Sequence, residues 1–342
     1  MQTSRSRSGP GPRNLITDVP GLKVGQAQAA AARTGVTVIL PDDRAVCACD
    51  VRGGAPGTRE TDALAPENLV EAVDAVALSG GSVYGLAAAD GVVAWLGARG
   101  RGYKLATLPD VPPSPVVPGA ILFDMANGGD KAWGETPPHR ELGRAAVDAA
   151  GDEFQLGTAG AGFGAMAGAL KGGVGSASFV SSDGFTVGAI AAVNSWGSVV
   201  APDGRTFWAA PYEIGGEFGA LGSAGLIAGA EDWGLSKAPA GGRNTTIACV
   251  ATDAALTPAQ ARRLAVMAQD GLARAIRPVH APFDGDVVFA ISTGRRPLGD
   301  MADYAVAQLG GLAADCLARA VARGVFEATP WPGTDVRCWR DG

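Results

Sequence analysis

The residues Gly241-Gly242-Arg243-Asn244-Thr245-Thr246-Ile247-Ala248-Cys249-Val250 carry the strongest chemical signal in this chain of 342 residues. The segment 213–244 is rich in Gly and Ala and has few bulky side chains, a composition typical of a flexible connector. From Thr245 onward the residues are β-branched or apolar, which predicts a buried strand. The pattern therefore places a threonine at the first position of a strand, directly after a pliant segment.

A threonine at such a position has the groups that self-cleavage requires. Its hydroxyl can attack the carbonyl of Asn244, and cleavage would turn its amide nitrogen into a free α-amine. That amine can then act as the general base for the hydroxyl of the same residue, so no histidine is needed. The chain has only two, His139 and His280. The alternative, that Asn244 and Thr245 merely turn the chain into a strand, is favoured by these ten residues alone.

The composition narrows the class of protein. With 47% hydrophobic and 18% charged residues, the chain can bury a substantial core and is predicted to be globular. A net charge of −6 and a pI of about 5.0 disfavour nucleic-acid binding, because a basic surface is needed to neutralise phosphates. The five cysteines are odd in number and form no CxxC pair, which predicts reduced thiols and a cytoplasmic protein.

The chain is predicted to fold as one catalytic domain, residues 14–342, after a short tail. Residues 1–13 are rich in Ser, Arg, Gly and Pro and have no apolar h-region, so a disordered tail is expected and a signal peptide is not. Apolar stretches are interrupted by Gly and Asn, so no membrane association is expected.

Hydrophobic periodicity and turn residues predict the main elements. A helix start is marked most clearly by Thr257, Pro258 and Gln260, which form a capping box. Strands are expected at 14–24, 35–40, 73–78, 185–193 and 247–251, and helices at 84–96, 141–150, 258–274 and 302–323.

Two carboxylates flank a glycine in Asp284-Gly285-Asp286, just before a strand that begins at Val287. They could hold a protonated α-amine or a threonine hydroxyl, and their mutual repulsion would raise the pKa of one of them. A solvated Asp-Gly turn is the alternative. A metal site is disfavoured because two carboxylates without nearby His or further acids seldom suffice, and no cofactor is expected.

Three further residues are candidates for catalysis. Asn194 ends an apolar strand, where its amide could donate to an oxyanion or simply form a turn. Tyr84 follows Gly80-Gly81 at a helix start, where backbone N–H groups and a phenol can polarise a carbonyl; packing in the core is the alternative. Lys171 could stabilise charge or assist proton transfer, or it could be an ordinary surface lysine.

Two other features have weaker functional interpretations. Asp124 and Asn127 could border a pocket, although a turn explains them equally well. Gly160-Ala-Gly-Phe-Gly164 resembles half of a dinucleotide fingerprint, but the third glycine is misplaced and the chain has 51 glycines. Nucleotide binding is therefore excluded.

Taken in order, several segments resemble the DmpA-like family of L-aminopeptidase/D-esterases and β-peptidyl aminopeptidases, whose relatives include the 6-aminohexanoate (nylon) oligomer hydrolases. Each motif alone is weak, whereas the ordered set is specific and extends over nearly the whole chain. The matching segments are 14–25, 51–54, 78–86, 160–164, Asn194, the 241–250 segment and 283–290.

The resemblance implies an α/β fold in which two β-sheets lie between helical layers, of the N-terminal-nucleophile hydrolase type. It implies that the precursor splits into a large piece, 1–244, and a small piece, 245–342, and that the pieces assemble into a homo-oligomer, a tetramer of αβ units. It also implies that Asn194 helps form the oxyanion hole and that Lys171 belongs to the site.

The resemblance also bears on the substrate. The aminopeptidase branch usually begins its small piece with Ser and has Ser-x-Glu downstream, whereas Thr245 and Asp284-Gly285-Asp286 match the nylon-oligomer branch. Hydrolysis of linear amides through a Thr245 acyl-enzyme is therefore expected, with activity on 6-aminohexanoate oligomers. The alternatives are a β-peptidyl aminopeptidase or D-aminopeptidase/esterase, acyl transfer to an amine as in ornithine acetyltransferases, and a non-catalytic glycine-rich binding protein.

Overall fold

The computed structural model describes residues 8–104, 110–224, 226–237 and 244–341. In these ranges two mixed β-sheets are stacked face to face, and a pair of helices covers the outer face of each. The helices are α1 (Ala88–Gly97), α2 (His139–Asp148), α3 (Pro258–Ala275) and α4 (Ala302–Phe326). The strands are β1 (Leu22–Ala29), β2 (Thr34–Pro41), β3 (Ala45–Val51), β4 (Thr58–Arg59), β5 (Ala72–Val73), β6 (Val76–Ser79), β7 (Gly119–Ile121), β8 (Met166–Ala167), β9 (Leu170–Lys171), β10 (Gly173–Val180), β11 (Thr186–Asn194), β12 (Thr245–Ala254) and β13 (Val287–Arg296).

The larger sheet has six strands in the order β10-β11-β12-β13-β3-β5, and α3 and α4 cover it. Strand β12 lies in its interior, antiparallel to β11 and parallel to β13, and all ten of its residues are buried. A strand buried on both faces needs apolar or small side chains throughout. This explains the continuous run from Thr245 that the sequence shows.

The smaller sheet has five strands in the order β1-β2-β6-β7-β4, and α1 and α2 cover it.

In the larger sheet, alternate residues of β12 point in opposite directions, as the strand period requires. Ile247 and Cys249 face the core between the two sheets, whereas Ala248 and Val250 face the core under α3 and α4. Together with a third core under α1 and α2, this gives the predicted sandwich of two sheets between helices.

The capping box at the start of α3 is confirmed, because the side chains of Thr257 and Gln260 each accept the other residue's backbone N–H.

The prediction of one strand at 73–78 is wrong in one respect: the segment forms two strands, of which β5 belongs to the larger sheet and β6 to the smaller. The chain crosses between the sheets at Asp74, a buried residue whose carboxylate accepts the backbone N–H of Val116. In the sequence, Asp74 is a polar residue within an otherwise apolar run, and it lies where the chain crosses.

The prediction of a strand at 14–24 holds only from residue 22, where β1 begins. A short 3-10 helix, Ile16–Asp18, precedes it, and the carboxylate of Asp18 accepts the backbone N–H groups of Arg13 and Leu15. An acidic side chain that bonds nearby backbone groups favours a turn over a strand.

Where the structure describes the predicted tail and connector, both segments contact the rest of the domain. Gly9 exchanges two backbone hydrogen bonds with Val180, so the predicted disorder does not extend over 8–13; residues 1–7 lie outside the described ranges. In the connector, Phe218 is buried in the core and Glu217 binds the buried Arg319 of α4. Residues 225 and 238–243 of the connector lie outside the described ranges.

Helix α4 is long and apolar enough to cross a membrane by length and composition alone. However, 72% of its most apolar window is buried inside the protein, where the helix packs on α3, β10 and β11. It therefore serves as a core helix of this domain.

Candidate active site

Three strand ends meet around Thr245, the first residue of β12. Asn194, the last residue of β11, lies opposite Thr245 in the antiparallel register. On the other side, Asp284 and Asp286 form the turn that leads into the parallel strand β13. All four side chains are almost completely buried, with Thr245 only 3% exposed. The structure thus brings together four of the six residues proposed for catalysis.

The peptide bond before Thr245 is held in a defined position. The carbonyl oxygen of Asn244 accepts a hydrogen bond from the Thr245 hydroxyl and another, of 2.9 Å, from the backbone N–H of Gly285. The N–H of Asn244 donates to the carbonyl of Phe283 at 3.3 Å. A carbonyl that accepts a fixed N–H is polarised toward attack, and here the adjacent hydroxyl lies within reach of it.

Glycines allow the chain to approach the acidic turn closely. A Cβ on Gly53 would lie 2.3 Å from the nitrogen of Asp286, and the N–H of Ala55 donates to the carbonyl of Asp284 at 2.8 Å. The segment 51–54 singled out in the sequence is therefore the support on which the acidic turn rests.

The two carboxylates have different environments. Asp286 accepts the N–H of Thr246 at 2.7 Å and pairs with the Nδ1 of His280 at 2.8 Å. Asp284 accepts the N–H of Ala281 at 3.0 Å, and its burial, reinforced by the nearby charge of Asp286, raises its pKa to about 6. One of the two aspartates was expected from the sequence to have a raised pKa, and Asp284 is that group. His280 was not predicted to belong to the site, because its closeness to the two aspartates was the one signal for it.

Lys237 is a second residue that the sequence analysis did not single out. It lies seven positions before Asn244, and its Nζ donates to the side-chain Oδ1 of Asn244 at 2.5 Å. Burial lowers its pKa to about 7, and the opposing charge of Asp284 limits this shift. The sequence did not indicate a role for Lys237, because a single lysine in a glycine-rich segment belongs to no recognisable motif.

An aromatic cluster lies beside the acidic turn and is formed by Trp196, Trp233 and Phe283. The ring of Trp196 stands edge-on to Phe283 at 5.1 Å and to Trp233 at 5.6 Å. Trp233 and Phe283 are 42% and 38% exposed, so the cluster presents an apolar surface to solvent next to the site.

The side-chain amide of Asn194 is fixed from both ends. Its Nδ2 donates to the carbonyl of Phe123 at 3.0 Å, and its Oδ1 accepts the N–H of Met166 at 2.9 Å. An amide NH₂ carries two hydrogens, so the bond to Phe123 commits one of them. The bond to Met166 orients the NH₂ group, which is what an oxyanion donor needs.

Lys171 is a fully buried residue, so the alternative of a surface lysine is wrong. Its Nζ donates to the carbonyls of Gly162, Ala165 and Gly172 at 3.2, 3.1 and 2.6 Å, and it lies 4.9 Å from the ring centre of Trp331. Burial lowers its pKa to about 7. The described hydrogen bonds of Lys171 thus hold the backbone at Gly162, Ala165 and Gly172 rather than Thr245.

Tyr84 is 45% exposed, so the alternative of core packing is also wrong. Its ring stands edge-on to Trp133 at 5.6 Å. Among the described residues, this ring contact does not connect Tyr84 with Thr245. Asp124 is buried and accepts the N–H of Gly81 at 2.8 Å, while Asn127 donates to the carbonyl of Gly164 at 2.7 Å. These two residues connect the glycine segments that surround the site.

Comparison with known proteins identifies the family. The model of peptidase family S58 matches residues 14–338, nearly the whole chain. The chain belongs to peptidase family S58. It is therefore an enzyme, a peptidase-family hydrolase, and the alternative of a non-catalytic binding protein is wrong. The resemblance to the DmpA-like family that the sequence motifs indicated is confirmed.

Relatives in the S58 family differ in how similar they are to this chain. An uncharacterized aminopeptidase of Mycobacterium tuberculosis is 46% identical over 350 residues, covering 96% of this chain and 97% of the relative. A 6-aminohexanoate-oligomer endohydrolase of Kocuria sp. is 28% identical over 306 residues, covering 83% and 76%. By overall sequence the S58 chain is thus more similar to the mycobacterial aminopeptidase than to the oligomer hydrolase.

A solved structure has the same fold. The L-aminopeptidase D-Ala-esterase/amidase of Ochrobactrum anthropi, a variant of the N-terminal-nucleophile hydrolase fold, superimposes with a TM-score of 0.72 at 24% identity, covering 97% of this chain and 91% of the other. The fold predicted from the sequence is confirmed.

Proposed function

We propose that this chain cleaves itself between Asn244 and Thr245 and then uses Thr245 as the nucleophile of an aminopeptidase-type amide hydrolase. The observation that carries the proposal is the environment of the Asn244 carbonyl, which accepts the Thr245 hydroxyl and the N–H of Gly285. Asp284 and Asp286 lie buried beside it.

Self-cleavage needs no group from outside the chain except water. The Oγ of Thr245 attacks the carbonyl carbon of Asn244, the C–N bond breaks, and the proton of the hydroxyl passes to the nitrogen, which becomes the α-amine. Water then hydrolyses the resulting ester and releases the carboxylate of Asn244 and the hydroxyl of Thr245. The N–H of Gly285 stabilises the oxyanion that forms on the Asn244 oxygen.

Turnover repeats this chemistry on a substrate. The α-amine of Thr245 takes the proton of its own hydroxyl, the Oγ attacks the substrate amide, the amine product leaves with that proton, and water hydrolyses the acyl-enzyme. In this proposal Asp284 and Asp286 hold the α-amine, and Asn194 donates to the oxyanion. Lys171 holds the backbone at Gly162, Ala165 and Gly172 in place.

The proposed substrates are short peptides and amino-acid amides with a free terminal amine. In the uncleaved chain the nitrogen of Asn244 donates to the carbonyl of Phe283, and a substrate amine placed there would find the same acceptor. The 46% identity to a mycobacterial aminopeptidase supports this class. A free amine is also present on 6-aminohexanoate oligomers, and Thr245 with the Asp-x-Asp pair favours activity on them as the second candidate.

The proposed substrates are tested by measuring kcat/KM on each class under the same conditions. We expect measurable kcat/KM on alanine amides and β-peptides, and a smaller value on 6-aminohexanoate oligomers, none of it in Thr245→Ala. Turnover of the oligomers alone would move the function to the second candidate. A product that forms only when an acceptor amine is added would identify acyl transfer instead, and turnover that survives in Thr245→Ala would overturn the proposal.

We further propose that the two pieces remain one αβ unit and that four such units form a cytoplasmic tetramer. Strand β11 of the large piece pairs with β12 of the small piece along eight register positions, which supports lasting association. The five cysteines are buried and unpaired, which is in keeping with a reducing compartment.

A further inference from the structure

In the proposed reactions, Asn244 takes the place in self-cleavage that the acyl residue of a substrate takes in turnover. It is the residue whose carbonyl Thr245 would attack during self-cleavage, and the same hydroxyl attacks the acyl residue of a substrate during turnover. The surroundings of the Asn244 side chain therefore show what lies around a substrate side chain at this subsite. The side-chain oxygen of Asn244 accepts a hydrogen bond of 2.5 Å from Nζ of Lys237.

Lys237 is held in place independently of Asn244. Its backbone N–H donates to the carbonyl of Trp196 at 3.0 Å, and Trp196 packs edge-on against Phe283 and Trp233. The Nζ group lies near enough to Asp284 for the carboxylate to favour its charged form. The backbone of Lys237 is thus held by Trp196, and its Nζ lies between Asn244 and the acidic turn. The bond to Trp196 lies within the large piece, so cleavage does not break it.

A partly buried donor discriminates between side chains of the same shape. When a substrate supplies an acceptor oxygen, Nζ can make the hydrogen bond that it makes to Asn244 in the precursor, whereas an apolar side chain of equal size leaves that N–H unsatisfied and binds less well. Asn and Leu are such a pair, because they differ in polarity far more than in volume. A site of this kind therefore selects by hydrogen bonding.

We infer that Lys237 recognises the side chain of the acyl residue, first Asn244 in the precursor and then, in substrates, an N-terminal residue whose side chain offers a carboxamide oxygen. The inference rests on the proposed function, because it takes Thr245 as the nucleophile in both reactions. It assigns to the enzyme a preference for N-terminal Asn over the isosteric Leu.

A double-mutant cycle on self-cleavage tests the pairing of Lys237 with Asn244. Full-length Lys237→Met, Asn244→Leu, the double variant and the wild type are produced by cell-free translation, and the conversion of the 342-residue chain is followed on denaturing gels. We expect each single change to slow cleavage by about tenfold, and the double variant to match Asn244→Leu within about twofold. Fold-changes that multiply in the double variant would overturn the inference.

A conservative variant separates recognition from structural support. Lys237→Arg keeps a charged donor, so it should cleave within a few fold of the wild-type rate, whereas Lys237→Met should not. Equal slowing in both variants would show that the lysine stem, rather than its donor, supports the fold, and would also overturn the inference.

Substrate selectivity tests the second half of the inference on the processed enzyme. The 4-nitroanilides of Asn and Leu are compared by kcat/KM, and we expect wild type to favour Asn by about tenfold. Processed Lys237→Met, collected after prolonged incubation, should bring the ratio close to one. A wild-type ratio at or below one would overturn the inference even if that variant yields no enzyme.

Failure of the inference and failure of the proposed function give different results. A wild-type chain that cleaves itself and hydrolyses both anilides without preferring Asn contradicts only the role of Lys237. A wild-type chain that stays intact yet hydrolyses the anilides contradicts the proposed function.

Discussion

Gly285 lies directly against the hydroxyl of Thr245: a Cβ added to the glycine would stand 2.7 Å from the Oγ1 of Thr245 and 2.7 Å from the carbonyl oxygen of Ala55. Contacts this short do not occur for real Cβ atoms, and one of the two neighbours is backbone. The close packing of Thr245, the proposed nucleophile, therefore requires a glycine between the two aspartates.

Gly285→Ala should slow self-cleavage by at least tenfold, because the methyl group displaces either the Thr245 hydroxyl or the turn that carries both aspartates. Gel analysis of freshly translated chain measures the rate. Gly311→Ala is the matched control, since a Cβ there meets nothing within 4 Å and Ala is favoured over Gly in a helix by about 1 kcal/mol. Wild-type cleavage in Gly285→Ala would contradict the proposed geometry.

The raised pKa of Asp284 predicts an acidic limb in the rate of turnover. Because its pKa is about 6, the carboxylate is ionised above that pH and protonated below it. If the ionised form holds the α-amine of Thr245, kcat/KM should fall roughly tenfold for each pH unit below about 6. A pH profile that is flat between pH 5 and 7 would remove Asp284 from the mechanism.

Neutral amides in place of the carboxylates should abolish turnover without unfolding the protein. Asp284→Asn and Asp286→Asn are each expected to lower kcat by about a hundredfold or more while the thermal unfolding midpoint stays within a few degrees. Near-normal turnover in both variants would return Asp284-Gly285-Asp286 to a structural turn.

Lys171 predicts a pH dependence of stability. Its folded-state pKa is lowered to about 7 from 10.5, so the unfolded chain binds a proton more tightly than the folded chain between these values. The free energy of unfolding should therefore rise with pH from about 7 toward 10, by roughly 2 kcal/mol between pH 7 and 9. Urea unfolding of wild type and Lys171→Met compares the two slopes. Equal slopes would contradict the prediction.

The association of the two pieces predicts how processed enzyme behaves in solution. Strand pairing between β11 and β12 and the shared core should keep both pieces in one peak during size exclusion, and the predicted tetramer should sediment near four times the 34.2 kDa mass of one chain. Sedimentation near 34.2 kDa would contradict the tetramer, and separation of the pieces would contradict the αβ unit.

The sequence predicted the elements of this site better than their connections. Thr245 was placed at the start of a strand because a run of β-branched and apolar residues begins there, and the helix after Thr257 was placed because helix capping has a local sequence pattern. The partners of Asp286 and Asn244 could not be predicted: His280 reaches Asp286 through a loop, and Lys237 reaches Asn244 across the connector. The two pairs are only six and seven positions apart, but no sequence pattern in these segments indicates which side chains meet.

The sequence also did not predict whether an individual polar side chain is buried or exposed. Lys171 reads as an ordinary lysine, yet three backbone carbonyls of glycine-rich turns surround its ammonium group in the core. The glycines themselves were visible in the sequence. Their purpose became clear only from the neighbours that a Cβ would meet, such as the backbone of Gly173 at Gly162.

The most direct test of self-cleavage is the intact mass and N-terminal sequence of purified, active protein. At about 0.10 kDa per residue, from 34.2 kDa over 342 residues, we expect pieces of about 24 and about 10 kDa, the smaller beginning Thr245-Thr246-Ile247. Thr245→Ala should remain one chain, and Thr245→Ser, which keeps a hydroxyl, should still be cleaved. Active enzyme that consists only of the uncut 34.2 kDa chain would contradict the account.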